Sequence, residues 1–194
     1  MNYSIYVEST PNPEVMKFVS NRMIADKSIE IKNIREAKGI SIAEELLKFP
    51  FVKSIYLSAN FISISKISEV SWEDIAMQLR IFISDHLNSN IIKNYTEGIS
   101  ANEKVSNRNT DKSSKEFNKS EKEIEAILNE YIAPAVESDG GSITLNYYRE
   151  NIVCVDLRGA CSGCPSSAST LKGGIEALLK QKINPNIEVI ANEK

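Results

Sequence analysis

Apolar and polar positions along this chain form two periodic regions with an aperiodic stretch between them. In the first region, Tyr3, Ile5 and Val7 alternate with polar residues, which predicts a strand over Tyr3 to Val7. "TPNPEVMKF", Thr10 to Phe18, opens as a proline-restricted turn and runs into a second strand. Ile40 to Leu47 reads as a short helix. Val52 to Lys66 reads as two strands around a turn at Ala59 and Asn60. Ser71 is placed to cap a helix running through His86, with Trp72, Ile75, Leu79, Phe82 and Ile83 facing inward.

The second region opens on Ser120 and Glu123, spaced as an S-x-x-E capping box. Ile124, Ile127, Leu128, Tyr131, Ile132 and Val136 then recur at helical spacing, and Pro134 is expected to kink or end that helix. "SDGG", Ser138 to Gly141, is a turn. Ile143, Leu145 and Tyr147 alternate with polar residues on one strand, and Val153, Val155 and Leu157 do so on the next. Arg149 to Asn151 between them is the size of a hairpin turn. A helix starts near Pro165 and buries Leu171, Ile175, Leu178 and Leu179. Asn184 to Asn186 break it, and Ile187 to Ile190 form a closing strand.

The pattern defines an α/β protein of the α+β type. It has two small mixed domains, and the C-terminal one is a small sheet packed against two helices. Between them "EGISANEKVSNRNTDKSSKEFNK", Glu97 to Lys119, is rich in Ser, Asn, Lys and Glu and has no hydrophobic period. Such a stretch cannot bury enough surface to offset its ordering entropy, so it reads as a flexible polar linker. The expected division is 1–97, a linker at 98–119, and 120–194. No internal repeat relates the two halves.

Composition narrows the function. The chain has 194 residues, 42% hydrophobic and 25% charged, with a net charge of −3. Residues 120–194 hold 11 acidic and 7 basic side chains and carry −4, while residues 1–119 carry +1. Neither part has the basic footprint of a nucleic-acid binder. No stretch approaches the roughly 18 apolar residues of a membrane span. The N-terminus lacks a basic segment followed by an apolar run, so no secretory signal is expected. Three cysteines are too few for a secreted disulfide framework, so a reducing, cytoplasmic setting is expected.

Two of those cysteines stand in "RGACSGCPSS", Arg158 to Ser167. Thiols at the spacing of Cys161 and Cys164 can exchange disulfides or bind a metal. Pro165 suits a first helical position, which places Cys164 at the helix N-cap and Cys161 in the glycine-containing loop before it. The free amides and partial positive charge of a helix start favour thiolate over thiol. Yet two thiolates per chain cannot complete a four-cysteine iron–sulfur or zinc site. Cys154 is a poor third ligand, because it lies on the strand face opposite Val153, Val155 and Leu157. His86, the single histidine, lies in the other domain. A two-fold dimer supplies four thiolates without either of them. The competing readings are a thiol–disulfide oxidoreductase and a zinc-bridged interaction module. The first domain offers no acid/base pair, phosphate loop or nucleophile arrangement, and no enzymatic activity is expected.

"SDGGSITL" followed by "VCVDLRGACSGCPSSASTLKGGIE" resembles the C-terminal domain of NifU and of the Nfu-type iron–sulfur proteins. The likeness spans roughly Lys122 to Ile190. The first domain resembles the Nfu-type N-terminal domain more loosely, through "TPNPEVMKF", "ISIAEELLKFPFVKSIYLSANFISISK" and Trp72. The resemblance implies a scaffold or carrier. Such a protein binds an iron–sulfur cluster, 4Fe–4S more often than 2Fe–2S, between two subunits and delivers it to apo-proteins. It implies Cys161 and Cys164 as ligands, a homodimer when loaded, and client and upstream assembly proteins as partners, with neither nucleic acid nor membrane. Asp139, Gly140 and Gly141 match a family motif and also suit an ordinary tight turn. The first domain is expected to recognise clients or assembly machinery.

Overall fold

The computed structural model describes residues 2–89, 118–162 and 165–192. The chain divides into two compact units, Met1–Lys112 and Ser113–Lys194. The expected linker at 98–119 falls outside the described residues except for Asn118 and Lys119, which belong to the helix that follows.

The first unit runs β1 (Ile5–Ser9), β2 (Val15–Ser20), β3 (Ile29–Ile31), α1 (Ser41–Leu46), β4 (Val52–Ser58), β5 (Phe61–Lys66) and α2 (Trp72–Asn88). The strands form one antiparallel sheet in the order β1-β2-β5-β4-β3. Because side chains alternate across a strand, register decides which residues share a face. Val7, Phe18, Ile62, Leu57 and Ile29 line up in one row across all five strands. Phe18, Ile62 and Leu57 share a core with Ile42 and Leu46 of α1 and with Ile75, Leu79, Ile83 and Leu87 of α2.

The first strand begins two residues later than its alternation suggests. β3 has three residues, of which only Ile31 is buried, and so gives no readable period. Ala59, in the turn between β4 and β5, takes a positive φ of 44°. Ser71 caps α2 as expected, its hydroxyl accepting from Glu73 N at 3.3 Å. The "TPNP" segment is tied down as a structural turn. Asn12 Oδ1 accepts from Glu14 N at 3.0 Å, Thr10 Oγ1 accepts from Asn12 N at 3.2 Å, and Trp72 Nε1 donates to Pro13 O at 3.0 Å.

His86 packs on the first unit's helices, with its Nε2 3.2 Å from Ser41 Oγ. Burial lowers its pKa below the usual 6.5, and the nearby Glu45 carboxylate opposes that shift. A depressed histidine pKa means that folding favours the neutral ring. The stability it contributes is present above about pH 6.5 and is lost as pH falls through the folded value. The urea midpoint of the first unit is therefore expected to fall between pH 7.5 and 5.5, and to fall less in His86→Gln. An equal fall in both proteins would show that another group titrates.

The second unit opens with α3 (Lys119–Ile127), a π-helical turn (Leu128–Ile132) and α4 (Ala133–Ser138). Its capping box is Asn118 with Glu121, not Ser120 with Glu123. Glu121 N donates to Asn118 Oδ1 at 2.9 Å, and Asn118 N donates to Glu121 Oε2 at 2.9 Å. Asn caps as well as Ser, and it occurs two residues earlier. Pro134 does not end the helix. It follows the π-helical turn Leu128–Ile132, a wider turn that can absorb a residue unable to donate.

Strands β6 (Gly141–Arg149) and β7 (Ile152–Gly159) pair antiparallel, α5 (Pro165–Lys182) follows, and β8 (Glu188–Ala191) returns parallel to β7. Glu150 and Asn151 turn the hairpin at φ values of 49° and 65°. The register shifts between Leu145 and Tyr147, so Tyr147 stands opposite Cys154 and Tyr148 opposite Val153. A bulge of this kind moves every later side chain to the other face. Tyr148, not Tyr147, therefore packs against the core with Ile143 and Val153. That core also holds Ile124, Leu128, Ile175, Leu179 and Val189. Glu176 Oε2 accepts from Val189 N at 3.1 Å, which fastens α5 to the outer edge of β8.

Gly173 and Gly174 sit inside α5, and a Cβ built at either meets no atom within 4 Å. Glycine within a helix costs roughly 1 kcal/mol relative to alanine. Gly173→Ala and Gly174→Ala are each expected to raise the stability of the second unit by about that amount in urea denaturation. A loss of stability would reveal a contact that the fold of one chain does not make.

Candidate metal centre

Cys161 lies two residues beyond β7, in a loop held by short backbone bonds. Gly159 turns at a φ of 66°, and its carbonyl accepts from Ser162 N at 3.1 Å and from Ser162 Oγ at 2.9 Å. Ala160 N donates to Gly140 O at 3.2 Å. Gly140 itself has a φ of 84°, a conformation open to glycine and costly for most other residues. Gly141 pairs with Gly159 across the start of the hairpin. The "SDGG" turn is thus the wall against which the cysteine loop rests. On sequence, Asp139, Gly140 and Gly141 suit either a family motif or an ordinary turn; in the fold Gly140 and Gly141 lie against the cysteine loop.

The contact is close. A Cβ at Gly141 would lie 2.6 Å from Arg158 O, 2.9 Å from Cys161 Sγ and 3.2 Å from Cys161 N. Cys161 is 7% exposed and belongs to the apolar core of the unit. Burial, with a smaller contribution from the Asp139 carboxylate, pushes its thiol up to about 11. For Cys161 this is opposite to the expectation of a thiolate. The partial charge of a helix start acts on a sulfur exposed to it, whereas this sulfur is turned into apolar side chains, where desolvation of the anion dominates. Binding a metal ion would therefore release a proton from Cys161.

Cys164 lies outside the described residues. Cys154 is 4% exposed but does not belong to the core that encloses Cys161. It pairs across the sheet with Tyr147 and Ile190, on the opposite face. The electrostatic influence of Cys154, then burial and a side-chain hydrogen bond with the same cysteine, raise the Tyr147 pKa. The fold thus gives Cys154 a structural place and does not bring it to Cys161. His86 belongs to the first unit. Among the described residues, no group of three or more His, Cys, Asp or Glu side chains is placed to hold a metal. Among the described residues, Cys161 is one soft donor whose chemistry suits a metal, and no group of ligands surrounds it there.

The family described as "Scaffold protein Nfu/NifU N terminal" matches residues 5–90, and the NifU-like domain family matches residues 124–190. The chain carries an Nfu-type N-terminal domain followed by a NifU-like domain. It belongs to the Nfu/NifU scaffold family.

Among curated relatives, the mitochondrial NifU-like protein 4 of Arabidopsis thaliana is 27% identical over 183 residues, which is 93% of this chain and 62% of that protein. The mitochondrial NFU1 iron-sulfur cluster scaffold homolog of Drosophila ananassae is 29% identical over 195 residues, 97% of this chain and 64% of that protein. The human protein of the same name is 28% identical over 186 residues, 95% of this chain and 69% of that protein. The chain spans a little under two thirds of the first two relatives. All three are named mitochondrial, which overturns the cytoplasmic expectation and points to the mitochondrion. The cysteine argument asked only for a reducing compartment, and the cytosol is not the only one. Among the described residues, no helix is long and apolar enough to cross a membrane.

Proposed function

We propose that the chain is an iron–sulfur cluster carrier, in which Cys161 and Cys164 of two copies hold one 4Fe–4S cluster and pass it to apo-proteins. The observation that carries this reading is the soft donor Cys161, fixed by the "SDGG" wall at the end of β7 in a NifU-like domain. One chain offers two thiols in this loop, and a four-thiolate centre closes only when two loops meet. A site shared between chains opens when they part, which suits handing the cluster on.

A thiol–disulfide role fits the fold less well, since exchange needs an accessible thiolate and Cys161 is buried, which pushes its thiol pKa up. Residues 1–97 are proposed to recognise clients, with 98–119 as a tether and 120–194 as the cluster-binding part. The test mixes anaerobically loaded protein with an apo iron–sulfur enzyme and follows the return of that enzyme's activity beside free iron and sulfide. Transfer faster than from the free ions is expected. Deletion of residues 1–97 is expected to preserve loading and slow transfer to some clients. Activity that returns no faster than from the free ions would exclude a carrier.

A further inference from the structure

We propose that Gly141 is a positioning residue for the cysteine loop: by carrying no side chain, it leaves room for Cys161 Sγ to rest inside the apolar core. This rests on the carrier reading for its purpose, but the geometry stands without it. Of the three atoms that a Cβ at 141 would meet, Arg158 O at 2.6 Å and Cys161 N at 3.2 Å are backbone, and only Cys161 Sγ at 2.9 Å can swing aside. The wall has little freedom to retreat. Gly141 pairs with Gly159, and Gly140 O holds Ala160 N at 3.2 Å. A side chain at 141 therefore forces the Arg158 carbonyl to shift and also displaces Sγ, which leaves the core by rotation about the Cα–Cβ bond of Cys161. In the native chain the thiol stays stowed beside Gly141, shielded from alkylating and oxidising reagents. It swings outward when it takes up its cargo.

The test is iodoacetamide labelling of the metal-free, full-length chain at fixed pH, with each cysteine read separately by peptide mass. Cys154, buried in the same unit on the other sheet face, reports whether the fold is intact. In wild type both residues are expected to label slowly. In Gly141→Ala, Cys161 is expected to label at least about tenfold faster while Cys154 stays protected, since local opening is no longer required. Unchanged labelling of Cys161 in that variant, with Cys154 protected, would overturn the proposal.

If both cysteines label fast, the unit has unfolded and a double-mutant cycle decides. The stability lost through Gly141→Ala is expected to be smaller in a Cys161→Ala background, where no sulfur competes for the space. An equal loss in both backgrounds would overturn the proposal. Labelling needs no cluster. Failure of the wild-type chain to load iron would therefore sink the carrier reading and leave the positioning result standing.

Discussion

Cys161→Ala is expected to abolish iron and sulfide binding after anaerobic reconstitution, and Cys164→Ala to do the same. The size of the effect follows from the symmetry of the proposed centre. In a homodimer each substitution appears twice, so either variant removes two of four thiolates at once. A centre left with two protein ligands does not hold a cluster through gel filtration. Cys154→Ala serves as the control, because Cys154 packs on the far face of the sheet beside Tyr147 and Ile190. It is expected to lower stability and leave the iron count unchanged. Iron and sulfide assays on the three variants check this. Retention of iron in Cys161→Ala would show that Cys161 is not a ligand.

Ile175→Ala carries the second large expected effect, a loss of about 2–5 kcal/mol of stability in the second unit. Ile175 is fully buried in a core shared with Ile124, Leu128, Val153, Leu179 and Val189. Truncation removes its transfer energy and leaves a cavity that the β6-β7-β8 sheet on one side and α5 on the other cannot close. Against a typical total of roughly 5–15 kcal/mol, that is a large share for a small unit. The first unit has its own core, so its unfolding is expected to stay in place while the second transition moves to lower urea. A shift of both transitions together would mean that the two cores unfold as one.

Periodicity was a good guide where burial was one-sided. Helix α2 of the first unit puts Ile75, Leu79, Ile83 and Leu87 on one face, and the Val52 to Lys66 hairpin turns at Ala59 and Asn60. Three features were hidden for physical reasons. The three-residue β3 is held by its pairing with β4, a long-range contact that leaves no local pattern. The bulge between Leu145 and Tyr147 swaps faces midway along a strand, and a simple alternation cannot show where that happens. The resting state of Cys161 depends on which way its side chain turns. The loop's sequence favours a thiolate, whereas burial pushes the Cys161 thiol pKa up.

Chemistry that depends on composition was legible from the residues. The separation of Cys154 from Cys161 by its strand face could be read there. The role of "SDGG" as a wall could not, because it comes from the meeting of two segments some twenty residues apart.

The most direct test of the account is Mössbauer spectroscopy on the anaerobically reconstituted full chain, with iron, sulfide and protein counted on the same sample and its mass measured in solution. The account predicts a 4Fe–4S spectrum, four iron and four sulfide per two chains, and a dimer that reverts to smaller species when the cluster is removed. A full cluster bound by a single chain, or a dimer that binds zinc and no iron under the same conditions, would contradict it.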